Sequence, residues 1–178
     1  MPNKVLITGR PGAGKTTVVR KVISAGMPLA GGFFTAEIRR GGSRVGFKVR
    51  DIHSGREGVL AHVDHKHGPR VGKYGVDVAS FDGIGVNALR EAMRRRGCIV
   101  IDEIGNMELC SDAFQETVAA VMDSDRGVLG TIPIHRHPFL DGLRQRNDVT
   151  VIEVTFSNRD GLPARVMSML QFTDQPTP

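Results

Sequence analysis

The chain has 178 residues, of which 40% are apolar and 24% are charged, and its net charge is +5. Its apolar runs are far shorter than the roughly 20 residues that cross a bilayer, and no signal-peptide pattern precedes the first apolar run, so we expect a cytoplasmic protein without a membrane partner. The positive residues are scattered and lack interleaved aromatic residues, which argues against a nucleic-acid partner. We expect one domain over residues 1–171, a disordered tail over residues 172–178, and a monomer.

The most informative segment follows the first predicted strand. Residues 5–7 are apolar, and residues 9–16 then match the pattern G-x-x-x-x-G-K-T. Glycines let such a loop curl until its backbone N–H groups converge, and the helix that follows adds the positive end of its dipole. The pattern is typical of loops that bind the phosphates of a nucleoside triphosphate. The predicted nucleotide contacts in this segment are Gly9, Arg10, Pro11, Gly12, Ala13, Gly14, Lys15, Thr16 and Thr17.

A different pattern occupies the next part of the chain. Near residues 32–63, two strand-like runs meet at Gly41-Gly42 and a third run follows them. Such an arrangement predicts a β-hairpin with an additional antiparallel strand. We interpret it as an antiparallel hairpin insertion in the fold, followed by a loop over residues 64–82.

Helix and strand patterns then alternate as far as residue 170. The alternation predicts parallel strands joined by right-handed crossovers, with helices on both faces of the sheet. We therefore predict a three-layer α/β domain with a mainly parallel sheet. After the helix over residues 17–25, the predicted helices cover residues 86–96, 112–122, 138–146 and 160–170, and the later strands cover residues 98–101, 127–131 and 149–154.

Two acidic residues follow the apolar strand over residues 98–101. Ligands bind at the carboxyl ends of parallel strands, so Asp102 and Glu103 are predicted to contact the nucleotide. Thr16 and Asp102 are the predicted ligands of Mg²⁺, which carboxylate and hydroxyl oxygens suit. Glu103 either positions the attacking water or forms a structural salt bridge.

The ends of the later strands supply further candidates, each with two readings. Thr131 either contacts the γ-phosphate or the attacking water, or simply ends its strand. Arg136 either stabilises transition-state charge or is a solvated loop residue. Asn158 and Arg159 are predicted to contact the base or ribose, Asn158 or Asp160 is a candidate to cap the last helix, and the two roles are compatible. The segment lacks the N-K-x-D pattern of guanine-specific sites, so the sequence gives no support for guanine specificity.

The order of these motifs resembles that of small P-loop nucleoside-triphosphatases first described in thermophiles, which include a cancer-related vertebrate member. The resemblance covers nearly the whole chain and is carried by residues 9–16, 32–39 with 44–47, 102–109 and 155–160. It implies a three-layer P-loop NTPase domain that hydrolyses ATP, GTP, CTP and UTP slowly with Mg²⁺. It also brings Gly105 into the predicted nucleotide site. The resemblance assigns no role to Glu37, Arg39, Arg44 or Glu108, although all four are candidates to face the nucleotide or a second ligand.

Three functional hypotheses are consistent with these residues. Hydrolysis of the γ-phosphate is the first, with Lys15, Glu103 and Arg136 as the catalytic residues. The alternative is a nucleotide or small-molecule kinase, in which the hairpin and the region around Arg136 bind a phosphoryl acceptor. A third hypothesis is an interaction module whose partner binds only one nucleotide state.

Overall fold

A nine-stranded sheet organises the structure, a computed structural model that describes residues 4–170. The strands are β1 (Lys4–Thr8), β2 (Leu29–Arg40), β3 (Ser43–Asp51), β4 (Glu57–His62), β5 (Arg70–Val71), β6 (Tyr74–Val76), β7 (Cys98–Asp102), β8 (Val128–Thr131) and β9 (Val149–Glu153). Their order across the sheet is β5-β6-β4-β3-β2-β7-β8-β1-β9. The five strands from β2 to β9 in this order pair in parallel, and those from β2 out to β5 pair antiparallel. The tail predicted over residues 172–178 lies outside the described residues.

Helices cover both faces of this sheet, which confirms the three-layer α/β prediction. Leu6 of β1 packs in a core with residues of four α-helices on one face, whereas its neighbours Val5 and Ile7 pack with two helices on the other. Side chains of a strand alternate between faces, so one strand contributes to both cores. No helix within residues 4–170 has both the length and the apolar character to cross a bilayer. The helices are α1 (Lys15–Ser24), α2 (Val78–Phe81), α3 (Asn87–Ala92), α4 (Asp112–Asp123), α5 (Pro138–Arg144) and α6 (Leu162–Met169), with a π-helical segment (Asp82–Val86) between α2 and α3.

Strand β2 links the parallel and antiparallel parts of the sheet. Its first half pairs in parallel with β7, and its second half pairs antiparallel with β3. The strand begins at Leu29, earlier than the hairpin pattern indicates, because Gly31 and Gly32 interrupt the apolar run that marks a strand. Gly32 has a φ of +118°, and an added Cβ atom would overlap the carbonyl oxygen of Val100 in β7. The hairpin is therefore an extension of a central strand as well as an insertion.

The loop prediction for residues 64–82 was wrong. This stretch contains the short strands β5 and β6, and the helical region predicted from residue 86 begins at Val78. Asp77 starts that helix, since its carboxylate accepts a hydrogen bond of 2.9 Å from the backbone N–H of Ser80. Strands of two and three residues are too short to produce a detectable periodicity.

Parallel pairing brings the predicted site residues to one edge of the sheet. Ile7 of β1 pairs with Thr131 of β8, and Ile101 of β7 pairs with Gly130 of β8. The three strands therefore end at the same level. The loop after β1 and the acidic pair at the end of β7 meet there.

One carboxyl group beside this edge is part of the core. Glu108 begins a short 3₁₀ turn (Glu108–Cys110) and is only 5% exposed. Burial raises the pKa of Glu108 to about 8, and the negative charge of Glu103 acts in the same direction. Glu108 is therefore mostly protonated at neutral pH.

Removing a ring from the core tests how the helical layer packs on the sheet. The Phe114 ring of α4 lies 5.9 Å from the Phe33 ring and 5.2 Å from the Phe81 ring, measured between centroids, and all three are fully buried. Phe114→Ala leaves a cavity, so we expect the free energy of unfolding in urea to fall by about 3–5 kcal/mol. The control Phe156→Ala removes a ring that is 75% exposed and should cost no more than about 1 kcal/mol. Equal losses would contradict this packing.

Replacing the buried carboxyl group tests its raised pKa. Between pH 4.5, the ordinary pKa, and about 8, the unfolded chain releases the Glu108 proton whereas the folded chain keeps it, so wild-type stability falls as the pH rises. Glu108→Gln has no such proton to lose. We therefore expect the free energy of unfolding of the variant, relative to that of the wild type, to rise by up to about 1.4 kcal/mol per pH unit across this window. Urea unfolding without nucleotide measures this difference. Parallel pH profiles for the two proteins would rule out the raised pKa.

Candidate active site

The predicted phosphate-binding loop joins β1 to α1. Gly14 precedes the helix with a φ of +107°, a left-handed conformation that favours glycine. The N–H of Ala13 donates to the carbonyl of Arg10 at 3.0 Å, which closes a turn within the loop. Helix α1 then begins at Lys15, and residues of its first turn line an open cavity. An exposed helix N-terminus of this kind attracts anions through its free N–H groups.

Lys15 joins the loop to the acidic pair. Its ammonium group donates to the carbonyl of Gly9 at 3.2 Å and lies 3.4 Å from Oε2 of Glu103. The salt bridge considered for Glu103 from the sequence is therefore present in the structure. The salt bridge holds the Lys15 ammonium, which is predicted to bind phosphate, next to the Glu103 carboxylate, which is predicted to position water.

Asp102 is buried and has a hydrogen-bond partner at one oxygen only. Oδ1 accepts a hydrogen bond of 2.6 Å from Oγ1 of Thr131, whereas the buried Oδ2 has no hydrogen-bond partner among the described residues. Burial raises the pKa of Asp102 above its ordinary value, and the hydroxyls of Thr131 and Thr16 act in the opposite direction. A buried carboxylate oxygen without a partner, next to a threonine hydroxyl, suits a hard cation such as Mg²⁺. The residues present therefore fit a magnesium ion.

Thr131 ends β8, which is one of the two roles considered for it, and its side chain also has a partner that the sequence did not indicate. The residue is fully buried, and its hydroxyl donates to Asp102. It therefore orients the carboxylate from behind and does not line the cavity. Its position at the end of a strand gave no signal of this burial.

Gly105 makes room for two carboxyl groups. A Cβ atom at this position would lie 2.7 Å from Oε1 of Glu103 and 3.0 Å from Oε2 of Glu108. A side chain here would push at least one of them aside. Gly105 is not among the residues that line the cavity, so the structure connects it with the seating of Glu103 and not with a direct nucleotide contact.

A cavity of about 620 Å³ opens over Lys15. The volume is in the range of pockets that hold small ligands. Its walls come from the phosphate-binding loop, the β2–β3 hairpin and the segment between β8 and α5. Sequence reasoning missed Phe47, Pro133 and Ile134, because apolar residues in loops and hairpins carry no chemical signature. The lining residues are Gly9, Pro11, Gly12, Gly14, Lys15, Thr16, Thr17, Glu37, Arg44, Phe47, Glu103, Pro133, Ile134 and His135.

The three arginines predicted at the site, Arg10, Arg136 and Arg159, lie outside the lining of this cavity. The side chain of Arg136 is 83% exposed, and its Nε donates to the Asp141 carboxylate of α5 at 2.9 Å. Asp141 thus holds the Arg136 guanidinium at the surface, and the structure does not bring it to the phosphate-binding loop. The neighbouring His135 does line the cavity, whereas Arg10 is exposed and contributes its backbone carbonyl to the loop.

Arg159 lies beside a second, smaller cavity. This cavity of about 240 Å³ lies against the first turns of α1 and is lined in part by Thr17 and Lys21. The Arg159 guanidinium stacks over the exposed Phe156 ring, 4.9 Å from its centroid. The structure therefore places Arg159 close to the loop, at a cavity that shares Gly14 and Thr17 with the larger one.

Asn158 is occupied with holding the turn after β9. Its Oδ1 accepts from the backbone N–H of Thr155, and its Nδ2 donates to the carbonyl of Glu153, both at 2.8 Å. The expected side-chain cap of the last helix was wrong, because α6 begins after Gly161 without one. Both polar ends of Asn158 are therefore bonded within the protein.

Comparisons with known proteins agree on one family. A family model described as NTPase matches residues 4–167. The chain is 44% identical over 169 residues to the nucleoside-triphosphatase THEP1 of Thermotoga petrophila. This alignment covers 95% of this chain and 93% of that protein. The chain is 48% identical over 167 residues to THEP1 of Thermofilum pendens, with 90% of this chain and 91% of that protein covered.

Solved structures show the same likeness. The crystal structure of THEP1 from Aquifex aeolicus superposes with a TM-score of 0.83 at 36% identity, covering 95% of this chain and 99% of that one. The solution structure of a human cancer-related nucleoside triphosphatase superposes with a TM-score of 0.80 at 37% identity, covering 97% and 100%. The chain belongs to the NTPase family.

Proposed function

We propose that this protein catalyses the Mg²⁺-dependent hydrolysis of nucleoside 5′-triphosphates to nucleoside diphosphates and phosphate. The observation that carries the proposal is the approach of Lys15 to Glu103, 3.4 Å apart, in the cavity over the phosphate-binding loop. A cation that can bind phosphate oxygens then lies beside a carboxylate that can orient a water molecule. The relatives named nucleoside-triphosphatases support the same activity.

The loop and Lys15 bind the phosphate chain in this proposal. The N-terminus of α1 supplies backbone N–H groups and the positive end of the helix dipole. The Lys15 ammonium lies beside the Gly9 carbonyl, 3.2 Å away, so its side chain already follows the curve of the loop. Substrate phosphates replace Glu103 as its main anionic partner.

Thr16 and Asp102 hold the magnesium ion. The buried Oδ2 of Asp102, which has no partner in the described structure, supplies the charge that a divalent cation needs. A magnesium ion held by these residues would neutralise charge on the phosphate oxygens. Thr131 keeps the carboxylate oriented through its hydrogen bond of 2.6 Å.

Glu103 acts on the water. Its carboxylate orients a water molecule towards the γ-phosphorus and accepts a proton from it as the new P–O bond forms. The bond between the γ-phosphorus and the β–γ bridging oxygen breaks, and the nucleoside diphosphate leaves with that oxygen. Gly105 leaves space for the Glu103 side chain beside the loop. Glu108 is mostly neutral, so it adds little negative charge next to Glu103.

The proposed substrates are ATP, GTP, CTP and UTP. Asn158 has both polar ends bonded to the backbone, and Arg159 stacks on Phe156, so neither supplies an obvious base-specific hydrogen bond. A stacking surface of this kind accepts different bases. Hydrolysis needs only nucleotide, Mg²⁺ and water, so we propose that the protein works as a monomer and without a nucleic-acid or membrane partner. We also propose that it is cytoplasmic and forms one domain over residues 1–171.

The kinase alternative is not favoured. It requires an acceptor in the cavity, where Glu37, Arg44 and His135 do supply polar groups. The relatives that match over nearly the whole chain are, however, named for hydrolysis. Incubation with γ-labelled ATP and candidate acceptors separates the two activities, since a hydrolase puts the label into free phosphate.

Glu103→Gln tests the role of the carboxylate. The amide keeps the size of the side chain but cannot accept a proton, so we expect kcat to fall by about 100-fold while the Kd for Mg²⁺ and a non-hydrolysable nucleotide changes little. Phosphate release and calorimetry measure the two quantities. Glu116→Gln, an exposed position on α4, is the matched control and should match the wild type in both. Unchanged turnover in Glu103→Gln would exclude Glu103 as the base.

Asp102→Asn tests the metal site through two opposite effects. Without nucleotide or metal, we expect the variant to melt no lower than the wild type at neutral pH, because a buried carboxyl group with a raised pKa is replaced by a neutral amide. The Mg²⁺ concentration for half-maximal turnover should rise at least about tenfold, because the amide lacks the charge of the ligand. Thermal melts and magnesium titrations of activity measure these effects. An unchanged magnesium dependence would count against Asp102 as a ligand.

A further inference from the structure

We propose that Arg44 is a catalytic residue of this site: its guanidinium contacts the phosphate chain and stabilises the negative charge that develops as the γ-phosphate is cleaved. The inference rests on the proposed hydrolysis and adds to it the residue that supplies this charge. Among the residues that line the cavity over Lys15, Arg44 is the one arginine.

The β2–β3 hairpin brings Arg44 to the cavity. Arg44 lies next to the turn, at the start of β3, and pairs with Arg39 of β2. The hairpin extends beyond the edge where β7 ends, since β2 pairs with β7 only as far as Phe34. Its outer part, with Glu37, Arg44 and Phe47, therefore forms a wall of the cavity opposite the loop.

The Arg44 side chain is held in place on three sides. Its Nε donates to the Tyr74 hydroxyl and its Nη1 donates to Oε1 of Glu37, both at 3.0 Å. The guanidinium also stacks over the Phe47 ring, 5.2 Å from the centroid. Such fixation lowers the entropy that a flexible arginine would lose on binding a phosphate.

One nitrogen of Arg44 remains available to a ligand. Within residues 4–170, Nη2 makes no hydrogen bond or ion pair, while Nε and Nη1 are both engaged. The side chain is 47% exposed, so that nitrogen can be reached from the cavity. A guanidinium with two anchored nitrogens and one free nitrogen can donate to a phosphate oxygen without leaving its place.

The surrounding charges leave an excess of positive charge. Glu37 is paired with both Arg44 and Arg39, with shortest N–O distances of 3.0 and 2.6 Å. Hydrogen bonds from these arginines lower the pKa of Glu37, so its carboxylate stays ionised at neutral pH. Two guanidinium groups against one carboxylate leave the cluster net positive, which favours a polyanionic ligand.

Arg44 adds no bond-making or bond-breaking step to the proposed hydrolysis and acts only by stabilising charge. When the bond between the γ-phosphorus and the bridging oxygen breaks, its electron pair goes to the diphosphate, and Glu103 takes the proton from water. N–H groups of Arg44 stabilise the charge on the phosphate oxygens as it grows. Arg136, the other candidate for this role, is paired with Asp141 at the surface and does not line the cavity.

Kinetics of four variants test the proposal. We expect Arg44→Ala to lower kcat for Mg²⁺-ATP by roughly 100-fold, and Arg44→Lys to retain part of the activity because the charge remains. Arg39→Ala is the matched control, since it also removes a partner of Glu37 but does not line the cavity. It takes one positive charge from the cluster, so KM can rise, while kcat should stay nearly wild-type. The double variant Glu37→Gln/Arg44→Ala removes the carboxylate left uncovered by the single change, and it should stay as slow as Arg44→Ala. Thermal melts accompany each measurement.

Three results would overturn the role of Arg44. The first is an unchanged kcat in Arg44→Ala, including the case in which only KM rises, because that places the effect in substrate binding alone. The second is recovery of activity in the double variant, which assigns the loss to the exposed Glu37 charge. The third is a loss of kcat in Arg39→Ala equal to that in Arg44→Ala, or a large drop in the melting temperature of Arg44→Ala. Either result assigns the loss of activity to disorder of the hairpin. None of these results touches the proposed hydrolysis, which is tested by wild-type turnover and by Glu103→Gln.

Discussion

Parallel alignment of β1, β7 and β8 is the constraint on which the site depends. These strands end at the same level, so the loop after β1, the acidic pair at the end of β7 and Thr131 meet although they are far apart in sequence. The distance of 3.4 Å between Lys15 and Glu103 is a direct result of that register. A shift of one residue in β7 would turn Asp102 to the other face of the sheet and separate it from Thr131.

Burial of acidic groups at this edge opposes folding and favours ligand binding. Asp102 and Glu108 are both buried, and burial raises the pKa of each. The two cores on either side of the sheet, including the rings of Phe33 and Phe114, supply the stability that tolerates this arrangement. A cation at the unpartnered Oδ2 of Asp102 would remove part of the strain, so metal binding and stability are expected to rise together.

Local patterns were enough to predict the phosphate-binding loop, the parallel sheet and the position of Asp102 and Glu103, because each rests on residues adjacent in sequence. The selection between arginines was not predictable in this way. Arg136 follows a strand end and looked suitable, but an ion pair with Asp141 holds it outside, while the bend of a hairpin carries Arg44 inwards. The burial of Thr131 likewise depends on neighbouring strands. Tertiary contacts decide which polar side chain faces the cavity, and no local pattern encodes them.

The origin of the oxygen atom in the released phosphate tests the central claim most directly. Purified protein is incubated with Mg²⁺ and ATP in isotopically labelled water, and the phosphate and the nucleoside diphosphate are examined by mass spectrometry. We expect one labelled oxygen in the phosphate and none in the diphosphate, because water attacks the γ-phosphorus. Label in the diphosphate, or no phosphate release from any nucleoside triphosphate, would contradict the proposed chemistry.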